Sequence, residues 1–166
     1  MNMALPTTFS TKIATIFSIG RVPLVPGTVA SLAALPVGWW IGLLGGWQSL
    51  FAAAVLITLL GVWACDRQVR LVGLADPPEC VIDEAAGQWF ALVPVAYIGH
   101  IRTAFALVLA FALFRFFDIV KPWPISRLER LPGGLGVMAD DVLAGLVAGA
   151  LVALGYTTHF IDRLMQ

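Results

Sequence analysis

Charged side chains are scarce in this chain of 166 residues. They account for 12% of it, hydrophobic residues account for 60%, and the mean hydropathy is +0.91. Soluble domains carry about a quarter charged residues, because charge covers the surface that faces water. So little charge excludes most soluble classes and predicts a protein embedded in a lipid bilayer. The length suits a single domain over residues 1–166.

The chain also has little cysteine and no net charge. Its two cysteines, Cys65 and Cys80, do not form a CxxC motif, and no histidine cluster accompanies them. Neither a zinc site nor a disulfide framework is therefore expected. Ten Lys and Arg residues balance ten Asp and Glu residues. A neutral chain has no basic field to attract nucleic acid, so we expect no nucleic-acid partner.

Long uncharged runs predict membrane helices. The longest covers residues 22–65, which is 44 residues, and about 20 residues of helix cross the hydrocarbon core. Gly45 and Gly46 interrupt this run as a turn signal, which divides it into helices at 28–45 and 48–65. Further apolar runs predict helices at 85–98, between Arg102 and Arg115, and at 142–156. The run between the two arginines has only 12 uncharged residues, so its helix is expected to include Arg115 and Asp118 at its end. The expected fold is an all-α integral membrane protein, a compact bundle of about five hydrophobic helices.

The two ends of the chain are predicted to lie outside this bundle. Phe9, Ile13, Ile16 and Phe17 would share one face of a helix. An apolar face of this size predicts a short helix within residues 1–20 that lies in the membrane interface. Residues 157–166 are expected to form a C-terminal tail.

Basic residues are distributed unequally between the two sides of the predicted bundle. Eight of the ten share one side: Lys12, Arg21, Arg67, Arg70, Arg115, Lys121, Arg127 and Arg130. Arg102 and Arg163 lie on the other side. Because Lys and Arg concentrate in cytoplasmic connections, the chain is predicted to have its N-terminus in the cytoplasm and its C-terminus outside.

Nine of the ten acidic residues also map to the cytoplasmic side, and five of these lie at predicted helix ends: Asp83, Glu84, Asp118, Asp140 and Asp141. One acidic residue caps a helix start well, but two adjacent carboxylates repel each other. A cation would relieve this repulsion, and hard oxygen ligands suit Mg²⁺. The alternative is that these residues are caps and ion-pair partners of Arg115 or Lys121.

Three features near these acids could bind an anion. Residues 25–28 read Val-Pro-Gly-Thr, in which Thr28 could cap a helix whose first N–H groups bind phosphate, although a plain cap has the same sequence. The glycines of residues 133–136 allow close backbone approach to a ligand. Arg115, Asp118 and Lys121 are spaced i, i+3, i+6, so neighbours meet on one helix face. They could serve the site or form an ion-pair ladder at the interface.

Four segments carry a resemblance to a known family. They are PGTVASL at 26–32, IDEAAGQW at 82–89, FRFFDIVKPWPI at 114–125 and GGLGVMADDVLAG at 133–145. Together, and in this order, they resemble the phosphatidylglycerophosphatase A family. These membrane enzymes remove the terminal phosphate from phosphatidylglycerophosphate to give phosphatidylglycerol. The resemblance extends from about residue 20 to 154.

The resemblance implies a multi-pass enzyme of the bacterial inner membrane that uses Mg²⁺ at its cytoplasmic face and takes a phospholipid substrate. On this interpretation the metal ligands are Asp83, Glu84, Asp140 and Asp141. The catalytic residues are Asp118 and Asp141. The phosphate-binding residues are Arg21, Thr28, Ser31, Arg115 and Lys121. An oligomer is compatible with the sequence.

Two other functions compete with this interpretation. A small transporter or channel subunit could use the boundary charges as a gate, but the helix centres lack the polar lining that a conduction path needs. A CDP-alcohol phosphotransferase also uses paired carboxylates in a membrane. Its DG…AR…G…D…D spacing is absent from this sequence.

Overall fold

The computed structural model describes residues 8–23, 25–158 and 160–164, and within these ranges the chain is helical with no strand. Helix α1 spans Phe9–Ala14 and is followed by a 3₁₀ turn at Ile19–Arg21. The remaining helices are α2 at Pro26–Val72, α3 at Ile82–Tyr97, α4 at Ala104–Val120, α5 at Ile125–Leu128, α6 at Gly134–Thr157 and α7 at Phe160–Leu164.

Helix α2 is a helical hairpin that is broken at Gly46. This residue has φ of 72° and ψ of −177°, values that glycine adopts without a steric penalty. The halves on either side, α2a (26–45) and α2b (47–72), contact α3 in opposite directions, which an uninterrupted helix could not do. The contacts are Gly27 with Glu84 and Gly38 with Trp89 for α2a, and Phe51 with Phe90 and Gly61 with Ile82 for α2b. The predicted break at Gly45 and Gly46 is confirmed.

Helices α3 and α6 run parallel with their backbones in contact. A Cβ atom at Gly145 would lie 2.1 Å from the carbonyl oxygen of Gly87, and one at Gly149 would lie 2.5 Å from that of Ala91. Only glycine permits this approach, since protein interiors leave no space for a displaced backbone. The parallel arrangement puts the N-terminal halves of both helices, with their acidic pairs, at the same end of the bundle.

Helix α4 runs in the opposite direction and brings its C-terminal end to the same place. The fully buried ring of Phe114 lies against Gly87, and Asp118 follows one turn later. The start of α2a, the end of α2b, the end of α4 and the starts of α3 and α6 therefore meet at one end, which we call the carboxylate end.

Several helices extend further than the apolar runs predicted. Helix α6 begins at Gly134, eight residues before the predicted start at 142, so Asp140 and Asp141 lie inside the helix and do not cap it. Helix α2b runs past the predicted end at 65 to Val72. Helix α4 includes Arg115 and Asp118, as predicted from its short apolar run, and ends at Val120. An apolar run stops at the first charge, whereas helical hydrogen bonds continue through a charge that has a partner.

The N-terminal helix differs from the prediction. Helix α1 ends at Ala14, and Ile16 and Phe17 follow it with positive φ angles, so these two residues do not share its face. The buried side of α1 is partly polar: beside the apolar Ala14, the Thr11 hydroxyl donates to Gln68 Oε1 at 3.1 Å. Phe9 is exposed. Residues 1–7 of the predicted segment lie outside the described ranges.

Two of the helices, α2 and α6, are long and apolar enough to cross a membrane by length and composition. Large apolar side chains also remain exposed around the bundle, including Leu56, Leu59, Val108 and Ile119.

Candidate active site

A cavity of about 170 Å³ opens at the carboxylate end. Six carboxylates and one lysine line it: Asp76, Asp83, Glu84, Asp118, Asp140, Asp141 and Lys121. The other lining residues are Gly27, Pro77, Pro78, Cys80, Val81 and Val137. A cavity with this excess of negative charge is suited to a cation.

Three of these carboxylates come together from three different helices. Glu84 of α3, Asp118 of α4 and Asp141 of α6 each offer an oxygen, and these oxygens all lie within 4.8 Å of one another. Asp118 is 9% exposed and Asp141 is 3% exposed, so bulk solvent screens their charges only weakly. Three negative groups this close repel one another strongly unless a cation lies between them. We call these three residues the carboxylate cluster.

Arg115 supplies one positive charge to this cluster. Its Nη1 atom pairs with Glu84 Oε2, lies 2.9 Å from Asp118 Oδ2 and donates to Ser31 Oγ at 3.3 Å. The predicted contact between Arg115 and Asp118 along α4 is present. One guanidinium cannot neutralise three carboxylates, so the cluster retains an excess of negative charge.

Ser31 lies behind the cluster and does not line the cavity. Its buried hydroxyl is 3.1 Å from Glu84 Oε2 and 2.9 Å from the carbonyl oxygen of Gly27. Gly27 allows α2a to approach so closely that a Cβ atom there would collide with the Glu84 carboxylate. Ser31, predicted to bind phosphate, therefore contacts Glu84 in the structure, and its binding of phosphate stays a prediction.

Asp83 and Asp140 occupy equivalent positions next to the cluster. Each accepts a hydrogen bond from the backbone N–H of the following residue, Glu84 in one case and Asp141 in the other, both at 3.0 Å. The four predicted metal ligands therefore divide into two kinds. Glu84 and Asp141 belong to the cluster with Asp118, and Asp83 and Asp140 line the same cavity beside it.

Lys121 ends α4 in a left-handed conformation with φ of 44°. Its Nζ atom lies 2.7 Å from Asp140 Oδ2 and 3.5 Å from Glu129 Oε1, and the structure gives it no ion pair with Asp118. Burial opposes the charged form of Lys121, but Asp140 and Glu129 outweigh burial, so its pKa is raised above the ordinary value. The lysine remains a cation in the cavity wall.

Thr28 and Arg21 lie elsewhere. Helix α2 begins at Pro26, with Val25 as its N-cap and no side-chain cap bond, so the expectation that Thr28 caps the helix is wrong. Proline suits the first helical position because it lacks the N–H group that would be unpaired there. Neither Thr28 nor Arg21 lines the cavity, and Arg21 lines a neighbouring groove.

The connection between α2b and α3 forms one wall of the cavity. This wall was not predicted from the sequence. Asp76 lies at the rim, and burial raises its pKa above the ordinary value despite the opposing effect of Lys121. Pro77, Pro78 and Cys80 complete this wall. The two prolines signal a break in the helix, but no sequence signal shows that the connection folds back over the site.

Comparison with known proteins identifies the family. A family model described as Phosphatidylglycerophosphatase A matches residues 12–156. The chain belongs to this family. The resemblance found in the four sequence segments is thereby confirmed.

Individual relatives match over most of their length. The chain is 35% identical over 142 residues to phosphatidylglycerophosphatase A of Escherichia coli, which is 84% of this chain and 80% of that protein. The Haemophilus influenzae phosphatidylglycerophosphatase A is 36% identical over 137 residues, or 82% of each chain. A Bacteroides thetaiotaomicron protein that carries the provisional name phosphatidylinositol-3-phosphatase is 39% identical over 158 residues, or 92% of this chain and 96% of its own. No solved structure gave a significant match.

Proposed function

We propose that this chain is an integral membrane phosphatase that hydrolyses the terminal phosphomonoester of phosphatidylglycerophosphate, with Mg²⁺, at the cytoplasmic face of a bacterial inner membrane. The observation that carries the proposal is the convergence of Glu84, Asp118 and Asp141 from three helices in a chain of this family. The products are phosphatidylglycerol and inorganic phosphate.

The residues fit a magnesium ion. Magnesium takes oxygen ligands, commonly one or two carboxylates together with water and substrate phosphate. The cluster offers three carboxylates, with Asp83 and Asp140 beside them on the same cavity. Bound Mg²⁺ would supply positive charge to the phosphate oxygens and would make a water molecule more acidic.

The chain's own groups have separate tasks in this proposal. Lys121 lines the cavity as a cation and binds an oxygen of the phosphate, where negative charge grows during the reaction. Asp118 and Asp141 are the carboxylates positioned to accept a proton from the attacking water. Arg115 and Ser31 hold Glu84 and Asp118 in their positions.

The membrane assignment is supported by the exposed apolar surface and by the two helices suited to span a bilayer. All eight basic residues that the sequence assigns to the cytoplasm lie at the carboxylate end or in the segments that connect helices at that end. Arg102 follows the far end of α3. Because basic residues favour the cytoplasmic side, this distribution supports a cavity that opens to the cytoplasm.

Cysteine labelling tests this orientation. In a chain with Cys65 and Cys80 replaced by alanine, Arg70→Cys should be protected from an impermeant maleimide in intact cells and labelled after permeabilisation. Arg102→Cys should be labelled in intact cells. Both arginines are exposed, so burial does not confound the comparison. The reverse pattern would place the cavity outside the cytoplasm.

Phosphate release by the purified protein tests the reaction. We expect release from phosphatidylglycerophosphate in mixed micelles, loss of at least 90% of it (roughly a tenfold fall) after chelation by EDTA, and recovery when excess Mg²⁺ is added. Phosphatidylinositol 3-phosphate and phosphatidic acid serve as comparison substrates. Faster release from either one would reassign the substrate, and full activity in EDTA would exclude an essential divalent metal.

A further inference from the structure

A groove lies beside the cavity. This groove has a volume of about 350 Å³ and is lined by Gly20, Arg21, Val22, Pro26, Pro78 and Glu79. Pro78 lines both spaces, and the chain passes directly from one to the other at Pro26 and Gly27. A molecule that enters the cavity can therefore extend into the groove without leaving the surface of the protein.

Arg21 provides the positive charge of this groove. Its side chain is exposed, and it makes no ion pair with any carboxylate of the described residues. Glu79 lines the same groove, but its carboxylate accepts a hydrogen bond from the buried Gln68, at 3.0 Å from Nε2. Arg21 is thus available to an anion, whereas Arg115 and Lys121 are already paired with carboxylates.

The backbone fixes Arg21 at this position. A Cβ atom at Gly20 would lie 2.0 Å from the carbonyl oxygen of Glu79, so the Ile19–Arg21 turn packs directly on the connection that forms the cavity wall. The Val81 N–H donates to the carbonyl oxygen of Ala14 at 2.9 Å and ties the two segments together again. The distance between Arg21 and the cavity is therefore set by packing, as a binding residue requires.

The proposed substrate carries two phosphates. One is the terminal monoester, and the other is the diester that joins the glycerol headgroup to the lipid. We propose that Arg21 and its groove form a subsite for the phosphodiester, while the cavity takes the monoester. This inference rests on the proposed function, and it assigns Arg21 to substrate selection, in contrast to the expectation that it binds the reacting phosphate.

Two ligands that each carry only one of the two kinds of phosphate distinguish binding in the groove from binding in the cavity. Soluble dihexanoyl phosphatidylglycerol carries the diester without the monoester, and inorganic phosphate resembles the monoester without the diester. For Arg21→Gln we expect the Kd of the short lipid to rise about tenfold or more, as for loss of a charge-assisted hydrogen bond. The Kd of inorganic phosphate, measured with Mg²⁺ present, should stay within about threefold of the original value. Arg21→Lys should recover part of the lipid affinity.

Matched controls identify the source of any change. Arg70→Gln removes an exposed arginine from the same end of the bundle and should leave both affinities unchanged. Dihexanoylglycerol, which lacks the diester, should bind the original chain and Arg21→Gln equally.

Unchanged lipid affinity in Arg21→Gln, or an equal loss for inorganic phosphate, would overturn the subsite. Binding needs no turnover, so absence of phosphate release from the original chain would overturn the proposed function alone.

Discussion

Glu84→Gln and Asp141→Asn should each lower the rate of phosphate release by about 10²–10³-fold, the loss expected when one group of a preorganised charged site is removed. Both substitutions keep the shape of the side chain and remove its charge. Each removes one of the three carboxylates of the cluster and so weakens its affinity for a divalent cation. The measurement is kcat/KM on phosphatidylglycerophosphate across a range of Mg²⁺ concentrations. Higher Mg²⁺ should recover part of the activity.

The two effects should not add. Residues that share one ligand act as a unit, so the double variant should be only slightly slower than the slower single variant. Asp66→Asn is the control, because Asp66 pairs with Arg70 on the exposed end of α2b, outside the cavity. A double variant that lost the product of the two single losses would show that Glu84 and Asp141 act independently, and a shared metal would then be excluded.

The hairpin of α2 could be predicted from sequence because its signal is local. Two adjacent glycines interrupt an uncharged run that is twice the length needed for one crossing, and the conformation of Gly46 is one that glycine adopts readily. The positions of the acidic residues are also readable directly from the sequence. They predicted that the acidic pairs of α3 and α6 lie at the same end of the bundle, and in the structure they do.

The exact composition of the cluster could not be predicted, because it depends on packing between helices. Adjacent acids in the sequence suggested that Asp83 and Glu84 act as a pair. Successive helical residues point about 100° apart, however, so only one of each pair can face the same point in space. Glu84 and Asp141 face Asp118, whereas Asp83 and Asp140 accept hydrogen bonds from their own helices' backbone.

The segments outside the long helices were the least predictable. Asp76 reaches the cavity because a connection of irregular backbone folds over it, and Arg21 reaches the neighbouring groove because Gly20 permits close packing on Glu79. No periodicity or residue composition in the sequence indicates either arrangement. Of the phosphate-binding residues named from the sequence, Lys121 lines the cavity, Ser31 and Arg115 contact Glu84, and Arg21 lines the groove.

Lys121→Met should weaken both catalysis and stability. Its Nζ atom lies 2.7 Å from Asp140 Oδ2, and Asp140 is 4% exposed, so the substitution leaves a buried carboxylate without its partner. Breaking a fully buried pair costs about 3–5 kcal/mol, and because Lys121 is partly exposed we expect the free energy of unfolding in detergent to fall by roughly 2 kcal/mol. The loss of a charged contact to phosphate should lower kcat/KM about ten- to a hundredfold.

The double variant Lys121→Met with Asp140→Asn separates these two effects. Removing the Asp140 charge should restore most of the lost stability, because no unpaired carboxylate then remains in the cavity wall. It should not restore binding of phosphate, since the cation that faces the anion is still missing. The inhibition constant of inorganic phosphate should therefore stay about tenfold raised in both variants. If it returned to its original value together with stability, Lys121 would serve only to neutralise Asp140 and would have no direct contact with the phosphate.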